Sequence, residues 1–170
     1  MRVVALAPYP AQAPSTRFRL TQFVEPLRRQ GIELEVLPFV GSEEYRELYG
    51  PGGTLRKVGL LARSLRRRAA HLREAEEADL VLVHRELAPL GGGFFLRRLQ
   101  RLGVPVAFDF DDAVFLPSTG GNPLLRHLRR PGKDTAELCR AAHLVLAGND
   151  YLASFARESR GGGGGIRLLP

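Results

Sequence analysis

The sequence predicts an α/β domain built on a doubly wound, mostly parallel Rossmann-like sheet with helices on both faces. Three observations carry this expectation. Six short β-rich runs, at residues 3–7, 32–37, 80–83, 105–108, 144–147 and 166–169, are mostly apolar on both faces, as strands buried on both sides are. The segments between them carry helical periodicity and capping residues. The chain has 170 residues, 44% of them hydrophobic, which suits one domain with a sizeable core and is short for two. Alternation of this kind implies right-handed βαβ crossovers.

The elements follow in order. After the first strand, Ser15 or Thr16 can cap a helix whose Leu20, Phe23, Val24 and Leu27 share a face and which Gly31 can close. Pro26 inside it should kink the helix or shift its start. The stretch 41–79 is longer than a simple crossover. It opens on a loop at Gly50, Pro51, Gly52 and Gly53 and continues as a helix over 55–78. There Val58, Leu61, Leu65, Ala69 and Leu72 form one face, while Arg56, Arg63, Arg66, Arg67, Arg68 and Arg73 cluster mostly elsewhere. Such a basic amphipathic helix is either a solvated outer helix or a device for docking on an anionic membrane surface. Asn122 and Pro123 read as an N-cap and first-turn pair. Cys139, the only cysteine, lies in an amphipathic helix as a buried structural thiol and leaves no intrachain disulfide. Asn149 can cap the helix bearing Leu152 and Phe155. The five glycines at 161–165 are too flexible to form an element, and residues 166–170 form a last strand ending at Pro170. That ending reads either as a cut at an interdomain boundary or as the end of a naturally short protein.

The formal charge of +7 comes from 25 basic against 18 acidic residues, and since two of the basic ones are Lys57 and Lys133, 23 are arginine. The balance permits an anionic partner, whether a phosphate ligand, a nucleic acid or an acidic membrane face, or else reflects codon usage. The N-terminal apolar run is too short for a signal peptide and stops at Pro8. No segment approaches the ~20 apolar residues that span a bilayer. The expected location is cytoplasmic, free or peripheral to the inner face of the membrane.

The least expected polar residues collect at strand exits, which in this fold share one edge and so line one cleft. The loop after the first strand leads through Ser15, Thr16, Arg17 and Arg19 into a helix N-terminus, where free N–H groups and arginine charge favour an anion. It lacks the G-x-G-x-x-G spacing of dinucleotide binders, which excludes classical NAD or FAD binding there. His84, Arg85 and Glu86 follow the third strand, a set able to orient a sugar hydroxyl or a phosphate. Asp109, Asp111 and Asp112 follow the fourth, and Asn149 the fifth.

Three readings of the acids compete. Asp109-x-Asp111 after an apolar strand resembles the first motif of haloacid-dehalogenase-type phosphohydrolases, with Asp109 as nucleophile, Asp111 as general acid and magnesium on their oxygens. That motif belongs to the first strand of its own fold, however, and no later paired-acid motif completes a magnesium site. The acids can instead accept hydrogen bonds from sugar hydroxyls, or a proton, at a cleft. In the third reading Asp111 and Asp112 cap a turn before Phe115.

Taken together, the pieces resemble the N-terminal domain of a GT-B glycosyltransferase, most similar to the family 4 group of retaining enzymes. The resemblance spans nearly the whole chain, from Arg2 through Pro10, Ser15 to Arg19, Gln30 to Val36 and Val83 to Glu86. It continues over Phe108 to Phe115 and Ala147 to Ala153 to the strand at Ile166. It implies two Rossmann-like domains facing a cleft, of which residues 1–170 are the acceptor-side one. The other, absent from this sequence, holds most of the nucleotide-sugar donor. It further implies glycosyl transfer with retention, without a bound metal and without a cofactor beyond the donor co-substrate, to a sugar or lipid-linked acceptor. A peripheral contact with an anionic membrane fits a lipid acceptor, and no nucleic-acid partner is expected. Carried onto this sequence, Ser15, Thr16 and Arg17 face the acceptor and donor phosphates. His84, Arg85 and Glu86 form the acceptor wall, and Asp109, Asp111 and Asp112 line the reaction cleft as the catalytic side. The chain departs from many members in a proline- and alanine-rich first loop where they carry glycines, and in an acidic fourth-strand exit where they carry histidine. Without the donor half the segment is expected to show no turnover, because stabilising the leaving diphosphate is commonly the largest catalytic contribution. The alternatives are the magnesium-dependent phosphohydrolase on Asp109 and Asp111, and a basic membrane- or nucleic-acid-binding module built on the 55–78 helix.

Overall fold

A computed structural model of the chain describes residues 1–49, 54–117, 130–162 and 164–170. The expectations placed on Gly50 to Gly53 and on Asn122 and Pro123 lie outside the described residues, as does Gly163. Six strands form one sheet: β1 (Arg2–Ala7), β2 (Glu33–Pro38), β3 (Leu80–His84), β4 (Val106–Phe110), β5 (Leu144–Ala147) and β6 (Ile166–Leu168). Their order is β2-β1-β3-β4-β5-β6 and every neighbouring pair is parallel. The fold is therefore the expected Rossmann-like α/β sheet, all parallel where mostly parallel was predicted.

Between the strands lie α1 (Pro14–Arg19), α2 (Val24–Arg28), α3 (Ser42–Tyr49), α4 (Thr54–Glu74), α5 (Gly92–Arg101), α6 (Pro131–Ala141) and α7 (Asp150–Arg160). The chain runs from β1 to β2 in one direction and from β3 onward in the other, so the helices divide between two faces. On one face Val4, Leu6, Val81, Val83, Phe108, Phe110 and Val145 pack under α4 to α7, with Leu72, Leu99, Cys139 and Leu152 at the centre. On the other, Val3, Ala5 and Ala7 pack with Leu20 and Leu34, flanked by Val24 and Leu27 of α2. Cys139 is buried as expected, and burial pushes its thiol up to about 12, the mark of an inert structural cysteine.

Two sequence expectations are corrected here. The helix after β1 is not one helix capped by Ser15 or Thr16. Pro14 opens α1 at its first position behind Ala13, and no side chain caps it. Leu20, at φ −129° and ψ −62°, leaves the helical region, and a 3₁₀ turn at Thr21–Phe23 leads into α2, which Pro26 enters near its start. The kink expected of Pro26 thus falls before it, where the proline ring does not clash with an earlier turn. The second correction concerns α4. Arg68 does not join the solvated arginines: it is fully buried, and its Nη2 and Nη1 donate to the carbonyl oxygens of Ala7 (2.6 Å) and Leu37 (3.2 Å). Burial pulls its guanidinium down to about 9, opposed by the charge of Glu86, so it stays protonated at neutral pH. Arg67 beside it is held by Glu44 through two 2.6 Å bonds.

One turn further along α4, His71 is buried, and burial, reinforced by the charges of Arg68 and Arg67, pushes its ring down to about 4. The folded chain therefore holds His71 neutral at a pH where the unfolded chain binds a proton. Stability from this group is complete above about pH 6.5 and is lost as the pH falls from there towards 4, by about 2–3 kcal/mol. In urea titrations at stepped pH, His71→Leu should flatten the profile over that window. An unchanged slope in the variant would show that the acid loss originates elsewhere.

Candidate functional site

The order of the sheet reverses between β1 and β3, so the crevice beyond their carboxyl ends is the place where this fold class receives ligands. The β1 exit and α1 form one side of it. The Thr16 hydroxyl, fully buried, donates to the carbonyl of Tyr9 at 2.9 Å and fixes the loop's return. Ser15 is half-buried at the same edge. Arg17 points to solvent with its guanidinium 4.8 Å from the ring centroid of the exposed Phe18. Arg19, two residues on, turns inward instead, its side chain only 9% exposed.

Arg19 meets Asp109 there. In β4, residues alternate between faces, and Asp109 shares the α1 side while Phe108 and Phe110 enter the opposite core. Its register partner in β3 is His84. The Asp109 carboxylate accepts from Arg19 through Nη2 on one oxygen and Nε (3.3 Å) on the other, and the second oxygen also meets His84 Nδ1 at 2.7 Å. Arg19 Nη1 reaches further, to the carbonyl of Leu169 just past β6, at 2.6 Å. Asp109 and His84 are 2% and 0% exposed. Asp109 thus belongs to the strand interior and is not an open cleft-lining acid.

Beside this buried chain lies a second ion pair nearer solvent. Arg85 Nε and Nη2 clamp Asp111 at 2.6 and 3.0 Å. Burial works to raise the Asp111 carboxyl, but Arg85's bonds and charge outweigh it and hold the carboxyl below its usual range. Arg85 itself is raised, because Asp111 outweighs the opposing effect of burial. The Arg85 backbone has φ +62°, and the Glu86 N–H closes onto the His84 carbonyl at 2.8 Å, a tight turn that costs of order 1–3 kcal/mol in a non-glycine residue. Asp112 is open to water, with Oδ1 taking the N–H of Ala113 at 2.8 Å, as the turn-capping reading expects. Glu86 sits half-buried within electrostatic reach of Arg68. Asn149 acts as predicted for a cap: its Oδ1 accepts from the Leu152 N–H at 2.9 Å, so its side chain is engaged by α7.

The structure thus brings His84, Arg85, Asp109 and Asp111 together and adds Arg19. It leaves Arg17, Asp112 and Asn149 at the rim. Among the described residues no group of three or more His, Cys, Asp or Glu side chains gathers in a way that could hold a metal ion. Since Asp109 and Asp111 are each engaged by an arginine, the acids do not fit the magnesium site of the phosphohydrolase alternative. Behind Arg85 and Glu86, towards α5 and α6, a cavity of about 20 Å³ that also touches Leu87, Gly92 and Thr135 has room for about one water.

The exits of β4 and β5 touch through backbone: a Cβ on Gly148 would lie 3.0 Å from the Asp111 Cα. Backbone cannot yield as a side-chain tip does, so Gly148→Ala should cost about 1–3 kcal/mol and push Asp111 off Arg85. Thermal unfolding together with the Asp111 amide shift checks both, and a wild-type melting temperature would refute the contact.

No family model and no curated protein matches the chain. Among solved structures, a crystal structure of a conserved protein from Enterococcus faecalis V583 aligns at 14% identity over 99% of this chain and 91% of that chain, with a TM-score of 0.35. That likeness is too loose to bear on fold or function.

Proposed function

We propose that the chain is the acceptor-binding domain of a nucleotide-sugar-dependent, retaining glycosyltransferase of the GT-B type. The observation that carries the reading is the clustering of Arg85–Asp111 and Arg19–Asp109–His84 at the exits of β3 and β4, where the strand order reverses. A crevice walled by paired donors and acceptors suits a polyhydroxyl ligand, whose hydroxyls both give and take hydrogen bonds. Asp109 is 2% exposed with both oxygens accepting from Arg19, a poor setting for attack on a phosphoryl group, which disfavours the phosphohydrolase alternative. The catalytic role proposed for the acids is accordingly electrostatic: Asp111 and Asp112 at the crevice, Asp109 beneath it.

A second, compatible reading concerns α4. Its residues 55–59 are all exposed, with Leu55 and Val58 beside Arg56 and Lys57 and with Arg63 and Arg66 further along, a composition suited to an anionic lipid surface and hence to a lipid-linked acceptor.

The test is a binding titration of the labelled chain. Saccharides are expected to move the amides of Arg85 and Asp111, and Arg85→Ala to weaken binding about tenfold. Vesicles rich in phosphatidylglycerol should bind only at low salt. Absence of any saccharide response would overturn the acceptor reading.

A further inference from the structure

The proposed acceptor site contains a buried imidazole whose chemistry is already half determined. His84 Nδ1 lies 2.7 Å from an Asp109 oxygen, and an ionised carboxylate only accepts, so Nδ1 carries the proton. In the neutral ring the lone pair then sits on Nε2, and Nε2 is buried with no partner among the described residues. Leaving a buried acceptor unmet costs about 1–3 kcal/mol, and such orphans are rare enough to call for a reason. Two further observations fall on the same spot. His84 closes β3 at the reversal of strand order, and the next residue, Arg85, holds a positive φ of the kind that collects at ligand sites.

We propose that His84 Nε2 is the hydrogen-bond acceptor of this site for a hydroxyl of a neutral sugar or polyol, with Asp109 and Arg19 as positioning residues that fix its tautomer. The inference rests on the acceptor-binding reading and deepens it by naming the receiving atom and the ligand class. A lone pair on Nε2 attracts an O–H and repels a phosphate oxygen, so this position selects the hydroxyl end of a ligand over an anionic end. Arg19 supplies the rigidity: it takes both oxygens of Asp109 and is itself tied to Leu169. Because the ring is sealed from water, a ligand must displace part of its cover, and association should be slower than for a preformed surface site.

The experiment is a long-range proton–nitrogen correlation of the imidazole rings in the ¹⁵N-labelled chain, with His84 assigned by loss of its signal in His84→Gln. Nδ1 is expected to be the protonated nitrogen and Nε2 the bare one. Methyl α-D-glucopyranoside, methyl α-D-mannopyranoside or N-acetylglucosamine should move the Nε2 signal, and inorganic phosphate at equal concentration should not. In Asp109→Asn the single amide oxygen is claimed by Arg19, which turns the amide N–H towards the ring. The tautomer should then switch and saccharide affinity fall about tenfold or more. Arg19→Lys, which loosens the clamp and keeps the charge, should give a mixture of tautomers and a smaller loss, and it stands as the test if Asp109→Asn does not fold. A protonated Nε2 in the free chain, or a phosphate response equal to the sugar response, overturns the inference. Saccharides that move the Arg85 and Asp111 amides but not Nε2 overturn it while leaving the acceptor reading intact, whereas no saccharide response anywhere removes both.

Discussion

Asp109→Ala is expected to lower the unfolding free energy by about 3–5 kcal/mol, because it strips the counter-charge from a buried pair without removing the other partner. The Arg19 side chain is 9% exposed, and after the substitution only the Leu169 carbonyl would still accept from it. His84 would lose the acceptor of its Nδ1 as well. Asp109→Asn should cost less, since one oxygen remains for Arg19. Coupling to Arg19→Met should recover part of the loss, because a buried pair replaced by apolar groups of similar volume is often neutral. Urea unfolding at neutral pH, followed by far-ultraviolet circular dichroism, measures all four. A loss under about 1 kcal/mol for Asp109→Ala would mean that water reaches the pair.

Arg68→Ala should cost about 2–5 kcal/mol, the range for deleting a long buried side chain, and Arg68→Met much less. The guanidinium serves the Ala7 and Leu37 carbonyls and lies 5.7 Å from the ring centroid of Phe39. Ala7 O keeps a second donor, the Phe39 N–H at 2.8 Å, so losing Arg68 does not orphan it. The principal penalty is then the void, which methionine fills, while the desolvation of a charge disappears. If methionine proves as costly as alanine, the two carbonyl bonds hold the exits of β1 and β2 together and volume is secondary.

The strands were legible to within one or two residues, because a run apolar on both sides has few other homes in a domain of this size. β4 shows where that reading stops. It continues through Asp109 and Phe110, past the expected end at Phe108, because an arginine 90 residues earlier neutralises Asp109, and nothing local signals a partner so distant. Arg68 did leave a trace: at spacing 61, 65, 68, 72 it occupies the apolar stripe of α4, and only its charge argued for solvent. The gathering of charge at the strand exits was equally visible, since it follows from topology. Which arginine turned inward was not, because Arg17 and Arg19, two residues apart on α1, fall on opposite faces of the helix and nothing local says which face meets the sheet.

The bond from Arg19 to Leu169 spans 150 residues. At synthesis rates of about 5–20 residues per second, the N-terminal helix waits on the order of ten seconds before its final partner leaves the ribosome. Until then Arg19, Asp109 and His84 assemble without their outermost anchor. The contact with the residue just past β6 therefore joins the buried Arg19–Asp109–His84 chain only after the other three elements of the cluster have been synthesised. The outermost anchor of the candidate site is thus a strongly non-local contact, of the kind that folding reaches slowly.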